Sequence, residues 1–257
     1  MTKLLMLLLP TPFILLLGTI GGAVDRGFVT RTIEIESQIY QYQVFVPEQW
    51  TPTRRWPVVL FLHGAGERGS DGVKQTEVGL GPAIRLNPAS LPALVVMPQC
   101  RRGVWWNDPA MESLALSTLE ETIREYNGDP SRIYLTGLSM GGYGTFYLGA
   151  KYPDRFAALA PICGGVVPPN RLRQAGGTDH SEAYAEAARR IGNTPTWIFH
   201  GASDPVVPVS ESQQMVKALE EQGISVKYTE YPGVGHNSWD AAYSESGFFT
   251  WLLSQRR

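Results

Sequence analysis

The sequence predicts an α/β protein with a mostly parallel central sheet, helices on both faces and an antiparallel hairpin at its start. Three observations carry this. Residues 32–36 and 40–46 alternate apolar and polar side chains, the period of half-buried paired strands. Short apolar runs follow at 57–62, 94–97, 133–138, 157–162 and 196–200. Turn residues bound each run, as in strands covered on both faces. Segments with helical spacing lie between the runs, and such alternation builds a three-layer sheet.

The elements follow in order. After the hairpin, the run 57–62 ends in a glycine-rich stretch beginning at His63. Residues 114–126 place Leu and Ile at three- and four-residue spacing, a helix before the run 133–138. A tight turn leads into a helix over 141–151, and 181–190 is an Ala-rich helix. Between the runs ending at 162 and starting at 196, the segment 164–193 is long enough for a small cap but too short for a lid domain. The helix 210–222 starts after Pro208 and stops at Gly223. A more polar run, 226–231, ends the sheet.

Residues 1–23 read as a secretory leader. Lys3 precedes an apolar run from Leu4 to Leu17, and small residues close it at Gly21, Gly22 and Ala23. Pro10 and Pro12 break the run, which falls short of the roughly 20 residues of a bilayer span. Cleavage near Ala23, a secreted or periplasmic location and no stable membrane insertion are therefore expected, with 24–257 forming one domain. The 22 Lys+Arg against 24 Asp+Glu leave no basic excess, so a nucleic-acid partner is not expected. A hydrophobic fraction of 43% against 18% charged excludes a disordered chain. Cys100 and Cys163 follow non-adjacent strands and read as buried thiols rather than a disulfide. No cysteine or histidine spacing suits zinc, so neither metal nor cofactor is expected. The sequence leaves the oligomeric state open.

The chemistry centres on Ser139. The run 133–138 ends in Gly137-Leu138-Ser139-Met140-Gly141, a GxSxG sequence between a strand and a helix. Such a turn lifts the serine Oγ above the sheet and aims a helix N-terminus at it. A serine needs a base, and in this architecture the acid and the His follow it in the chain. His236 stands in a glycine-rich loop after the last strand and is preferred over His200, which ends an apolar strand as a wall residue. His180 falls in a polar loop and reads as solvated. Asp204, the first acid after 196–200 and stiffened by Pro205, is preferred over Asp154 and Asp240.

Gly64 to Gly69 matches GxGxxG after a strand, formally a dinucleotide fingerprint. The following residues lack a helical period, and no acid ends the next strand to hold a ribose. The stretch is better read as half of an oxyanion hole, with the Ala65 N–H as one donor and the Met140 N–H as the other. His63 is then structural. Trp105, Trp106 and Trp239 lie on loops after strands, where walling a substrate cleft and ordinary packing both stay open. Trp106 is the foremost candidate for substrate binding.

Together these segments resemble the α/β-hydrolase superfamily, and more narrowly the secreted esterases related to feruloyl and acetylxylan esterases and polyhydroxybutyrate depolymerases, a group also labelled predicted peptidases. The resemblance rests on 60–69, 96–100, 129–142, 160–165, 200–204 and Gly235-His236. It implies an α/β-hydrolase fold, a Ser139–His236–Asp204 triad and acyl transfer to water on small, aryl or polymer-linked esters. The absence of a large lid is closer to esterases than to lipases. A serine peptidase of the same fold is the alternative, and a non-catalytic binding protein on this scaffold is a more distant one.

Overall fold

Glu36 and Ser37 both adopt left-handed backbone angles (φ 49° and 64°), the twist a two-residue hairpin turn requires. The turn joins β1 (Gly27–Ile35) to β2 (Gln38–Val46), which pair antiparallel with Ile35 opposite Gln38. The computed structural model describes residues 25–168 and 180–257. The leader expected at 1–23 therefore lies outside the described residues, as does part of the possible cap, 169–179.

The remaining strands are β3 (Trp56–Leu62), β4 (Leu94–Pro98), β5 (Gly128–Leu138), β6 (Ala158–Ile162), β7 (Thr196–Gly201) and β8 (Val226–Tyr231). They form one sheet in the order β1-β2-β4-β3-β5-β6-β7-β8. β2 pairs antiparallel with β4, and every later pairing is parallel. The chain steps from β3 to β4 on one side, then crosses to β5 on the other. This reversal between β3 and β5 opens a crevice at their carboxyl ends, where ligands of open α/β sheets bind. β1 and β8 are the rims of the sheet. Two of their charges are engaged: Arg31 on β1 pairs with Glu125 at 2.8 Å, and the Lys227 ammonium on β8 sits 3.5 Å above the Trp197 ring.

Every residue of β3 is buried, so both faces of the sheet need cover. One face carries α2 (Pro109–Tyr126), α3 (Met140–Lys151), α4 (Ser181–Ile191) and α5 (Ser210–Glu221) over Val58, Leu60 and Leu62. The other carries α1 (Leu80–Leu86), α6 (Trp239–Ser244) and α7 (Phe248–Ser254) over Val59 and Phe61. The α/β fold predicted from sequence is thus the one observed.

Three differences have local causes. β5 begins at Gly128, earlier than the apolar run, because Trp56 pairs with Gly128 across an irregularity in the ladder. There the Asp129 carboxylate accepts from Ser131 N at 3.0 Å and Arg132 Nε at 2.7 Å, stabilising a polar entry to the strand. α2 begins at Pro109, where the Asp108 side chain accepts from Ala110 N at 3.0 Å as an N-cap. α1, α6 and α7, absent from the sequence reading, are one to two turns long and too short to display a period. Cys100 and Cys163 are free buried thiols. Among the described residues no helix is long and apolar enough to cross a membrane.

Candidate active site

Ser139 sits between the end of β5 and the first residue of α3, at φ 53° and ψ −117°. A non-glycine residue reaches these angles only at a cost of order 1–3 kcal/mol, so the surroundings must hold it there. They do so through close backbone packing. A Cβ on Gly141 would lie 1.8 Å from the Leu62 carbonyl oxygen, so only glycine lets α3 approach β3 this closely. Ser139 N donates to Ile162 O at 2.9 Å, fixing the corner to β6. The Oγ is left at the crevice mouth.

His236 comes from the loop after β8, and its Nε2 lies 2.9 Å from Ser139 Oγ. Its Nδ1 lies 2.7 Å from Asp204 Oδ2. The carboxylate can only accept, so Nδ1 carries the proton and Nε2 of the neutral ring receives the Ser139 hydroxyl proton in a hydrogen bond. Asp204 follows β7 with its side chain fully buried, whereas that of His236 is 19% exposed. Asp204 Oδ1 accepts from Val206 N at 2.8 Å and Val207 N at 2.9 Å. The acid and histidine loops are tied together: Ala202 N donates to Tyr231 O at 3.0 Å and Ser203 N to Val234 O at 2.9 Å. A Cβ on Gly201 would lie 2.3 Å from Gly235 O, so glycine is required where the loops meet. The Trp239 ring stands edge-on to His236, with centroids 5.4 Å apart. The structure therefore brings Ser139, His236 and Asp204, named from sequence, into one hydrogen-bonded chain.

The two expected oxyanion donors each stand at the start of a helical turn. Met140 opens α3, where an N–H has no acceptor within the helix. Ala65 opens a short 3-10 turn, Ala65–Glu67, and is exposed. No longer helix starts on the glycine stretch, which removes the phosphate-binding geometry a dinucleotide site needs. His63 braces the loop from beneath: its Nδ1–H donates to Gly64 O at 2.6 Å, and its Nε2 accepts from Cys100 N at 2.9 Å. Burial pushes its pKa down to about 4, so it stays neutral near pH 7.

Trp106 is 1% exposed, and its indole N–H donates to His63 O at 3.0 Å. That bond ties Trp106 to the loop that begins at His63. With Trp105, Met140, Tyr143 and Val166 it lines a small cleft of about 30 Å³. Trp105 is half-buried there, edge-on to Tyr143 at 5.8 Å. His180, expected to be solvated, is instead half-buried near Glu211. His200 is fully buried, as a wall residue should be, but it also touches Asp204, with Nε2 3.3 Å from Oδ2. Sequence reasoning missed that contact, although the four-residue spacing across a turn was visible.

Cys163 Sγ, an Asp204 oxygen and a His236 nitrogen lie within 4.8 Å of one another. They do not suit a metal. Both ring nitrogens of His236 and both oxygens of Asp204 are already hydrogen-bonded, and burial pushes the Cys163 thiol up to about 12.

Comparison with known proteins agrees with the geometry. Residues 107–245 match the phospholipase/carboxylesterase family. A solved thermostable esterase superposes with a TM-score of 0.75 at 34% identity, covering 90% of this chain and 63% of that one. A probable carboxylesterase of Arabidopsis thaliana, SOBER1-like, is 25% identical over 205 residues, 70% of this chain and 72% of its own length. An uncharacterized secreted protein of Arthroderma benhamiae is 28% identical over 219 residues, which is 75% of this chain but only 22% of that protein. With the sheet order, the serine corner and the matched residues in agreement, the chain belongs to the phospholipase/carboxylesterase family of α/β-hydrolases.

Proposed function

We propose that this protein is a serine carboxylic-ester hydrolase. The observation that carries the reading is the unbroken hydrogen-bonded sequence from Ser139 Oγ through His236 to Asp204. Ser139 attacks the ester carbonyl while His236 Nε2 takes its proton. Asp204 keeps the proton on Nδ1 and stabilises the imidazolium that forms. The Ala65 and Met140 N–H groups receive the developing oxyanion in a site that needs no reorganisation. The tetrahedral adduct collapses, and the alcohol leaves with the proton from His236. Water then gives a proton to His236 and attacks the acyl-enzyme, releasing the acid and restoring Ser139.

Small, aryl or polymer-linked esters are the substrates this reading assigns, with a peptide bond as the alternative. Export fits the reading, supported by the leader expected at 1–23 and by the secreted relative. The test is Ser139→Ala assayed on p-nitrophenyl acetate. Turnover should fall by several orders of magnitude, about 10³-fold or more, in a protein that melts like the parent. Retained turnover removes the mechanism.

A further inference from the structure

The buried histidine behind the acid has a definable role. His200 Nε2 lies 3.0 Å from Val207 O and 3.3 Å from Asp204 Oδ2. A carbonyl oxygen only accepts, so Nε2 carries the proton and donates it to Val207 O, with Asp204 Oδ2 close beside the same nitrogen. Nδ1 is then an acceptor, and the Ser212 hydroxyl at 2.7 Å donates to it. Burial lowers the His200 pKa and keeps the ring neutral. The charged and titratable groups facing it are Asp204, His236 and Glu230. A continuous line of contacts thus runs Ser139, His236, Asp204, His200, Ser212, hydrogen-bonded except at the 3.3 Å electrostatic contact between Asp204 and His200.

We propose that His200 is a positioning residue for ester hydrolysis, holding Asp204 and its turn in the orientation His236 needs, with its own tautomer set by Ser212. This rests on the serine-hydrolase reading above. The two backbone N–H groups on Oδ1 leave the carboxylate free to pivot about that oxygen. The His200 ring nitrogen, its proton-bearing edge 3.3 Å from Oδ2, attracts that oxygen and holds the plane, so that Oδ2 stays aimed at His236. The same N–H anchors Val207 O, and Val207 N in turn holds Oδ1. Because His200 lies on β7 rather than on a loop, the rigidity of the sheet passes directly to the acid.

The experiment compares two amide replacements. His200→Asn keeps an acceptor near the Nδ1 position for Ser212 but loses the N–H beside Asp204. His200→Gln puts an N–H near the Nε2 position. For His200→Asn, kcat on p-nitrophenyl acetate should fall roughly 10- to 100-fold, the worth of a hydrogen bond to a charged group, with KM little changed. His200→Gln should recover most of that loss. The low-field proton resonance of the His236–Asp204 hydrogen bond should move in His200→Asn and return in His200→Gln. If His200→Asn does not fold, Ser212→Ala tests the same chain and should lower kcat several-fold at unchanged KM. A kcat within twofold of the parent for His200→Asn or, failing that variant, for Ser212→Ala overturns the proposal. So does a Gln variant no better than Asn. If Ser139→Ala is inactive while His200→Asn is normal, only this inference fails; if Ser139→Ala stays active, the hydrolase reading fails with it.

Discussion

Replacing Asp204 by Asn should disable the site while leaving its shape intact. The new amide oxygen can still accept from Val206 N and Val207 N, so the turn keeps its anchors. What changes is the face towards the two histidines. A carboxylate oxygen 2.7 Å from His236 Nδ1 is replaced by an amide that presents hydrogens to it. The ring then takes the other tautomer and turns an N–H, rather than a lone pair, towards Ser139. The imidazolium of the transition state also loses its counter-charge. At the observed 2.7 Å and an effective dielectric of about 20, that attraction is about 6 kcal/mol. Spread over the barrier, it corresponds to about 10⁴ in kcat. The assay is steady-state hydrolysis of p-nitrophenyl acetate, beside the rate of covalent labelling by a fluorophosphonate and a melting curve. Both rates should collapse while the melting temperature moves by only a few degrees. An Asp204→Asn protein with normal structure and a kcat within tenfold of the parent refutes the role given to this carboxylate.

Further outcomes follow from other contacts. Gly141→Ala forces a methyl into the Leu62 carbonyl and should cost at least about 3 kcal/mol in urea unfolding or yield insoluble protein. Trp106→Phe removes the hydrogen bond to His63 O, so kcat should drop by about tenfold with KM nearly constant; a change confined to KM would point to substrate contact instead. Unfolded His63 takes up a proton near pH 6.5, but the folded ring does so only near 4. The unfolded state therefore holds more protons in that window, and stability falls as the pH drops through it, by on the order of 3 kcal/mol. Burial lowers the His200 pKa too, adding in the same direction. Urea midpoints at pH 7 and 4.5 should show the loss, and His63→Gln should reduce it.

Much of this site is legible in the sequence because its pieces are local. A glycine-flanked serine between a strand and a helix, an acid one turn past a strand and a histidine in a glycine loop each carry their own signal. Chain order suggests Ser139, Asp204 and His236, and the fold draws them from the loops after three separate strands, β5, β7 and β8, to hydrogen-bonding distance. The contacts made by folding back were hidden. His200 reads as one more buried residue until the 204–207 turn closes over its ring. Trp106 reads as a cleft aromatic, but its N–H on a backbone carbonyl could not be foreseen. The start of β5 was masked because Asp129 and Pro130 look like a turn, although a strand ladder still forms there. Short helices such as α1, with Gly81 and Pro82 near its start, lack the length over which a period becomes visible.

The rims of the sheet bear on how such a protein survives at high concentration. An uncovered outer strand offers a row of unpaired peptide groups to any similar strand nearby, the first step towards aggregation. Here Arg31 and Glu34 stud one outer strand and Lys227 and Glu230 the other, so an incoming neighbour would have to displace or desolvate charged side chains, some already paired as Arg31 is with Glu125, before it could zip up. Replacing Arg31 and Glu34 by valine together should leave esterase turnover unchanged yet make the purified protein cloud on storage.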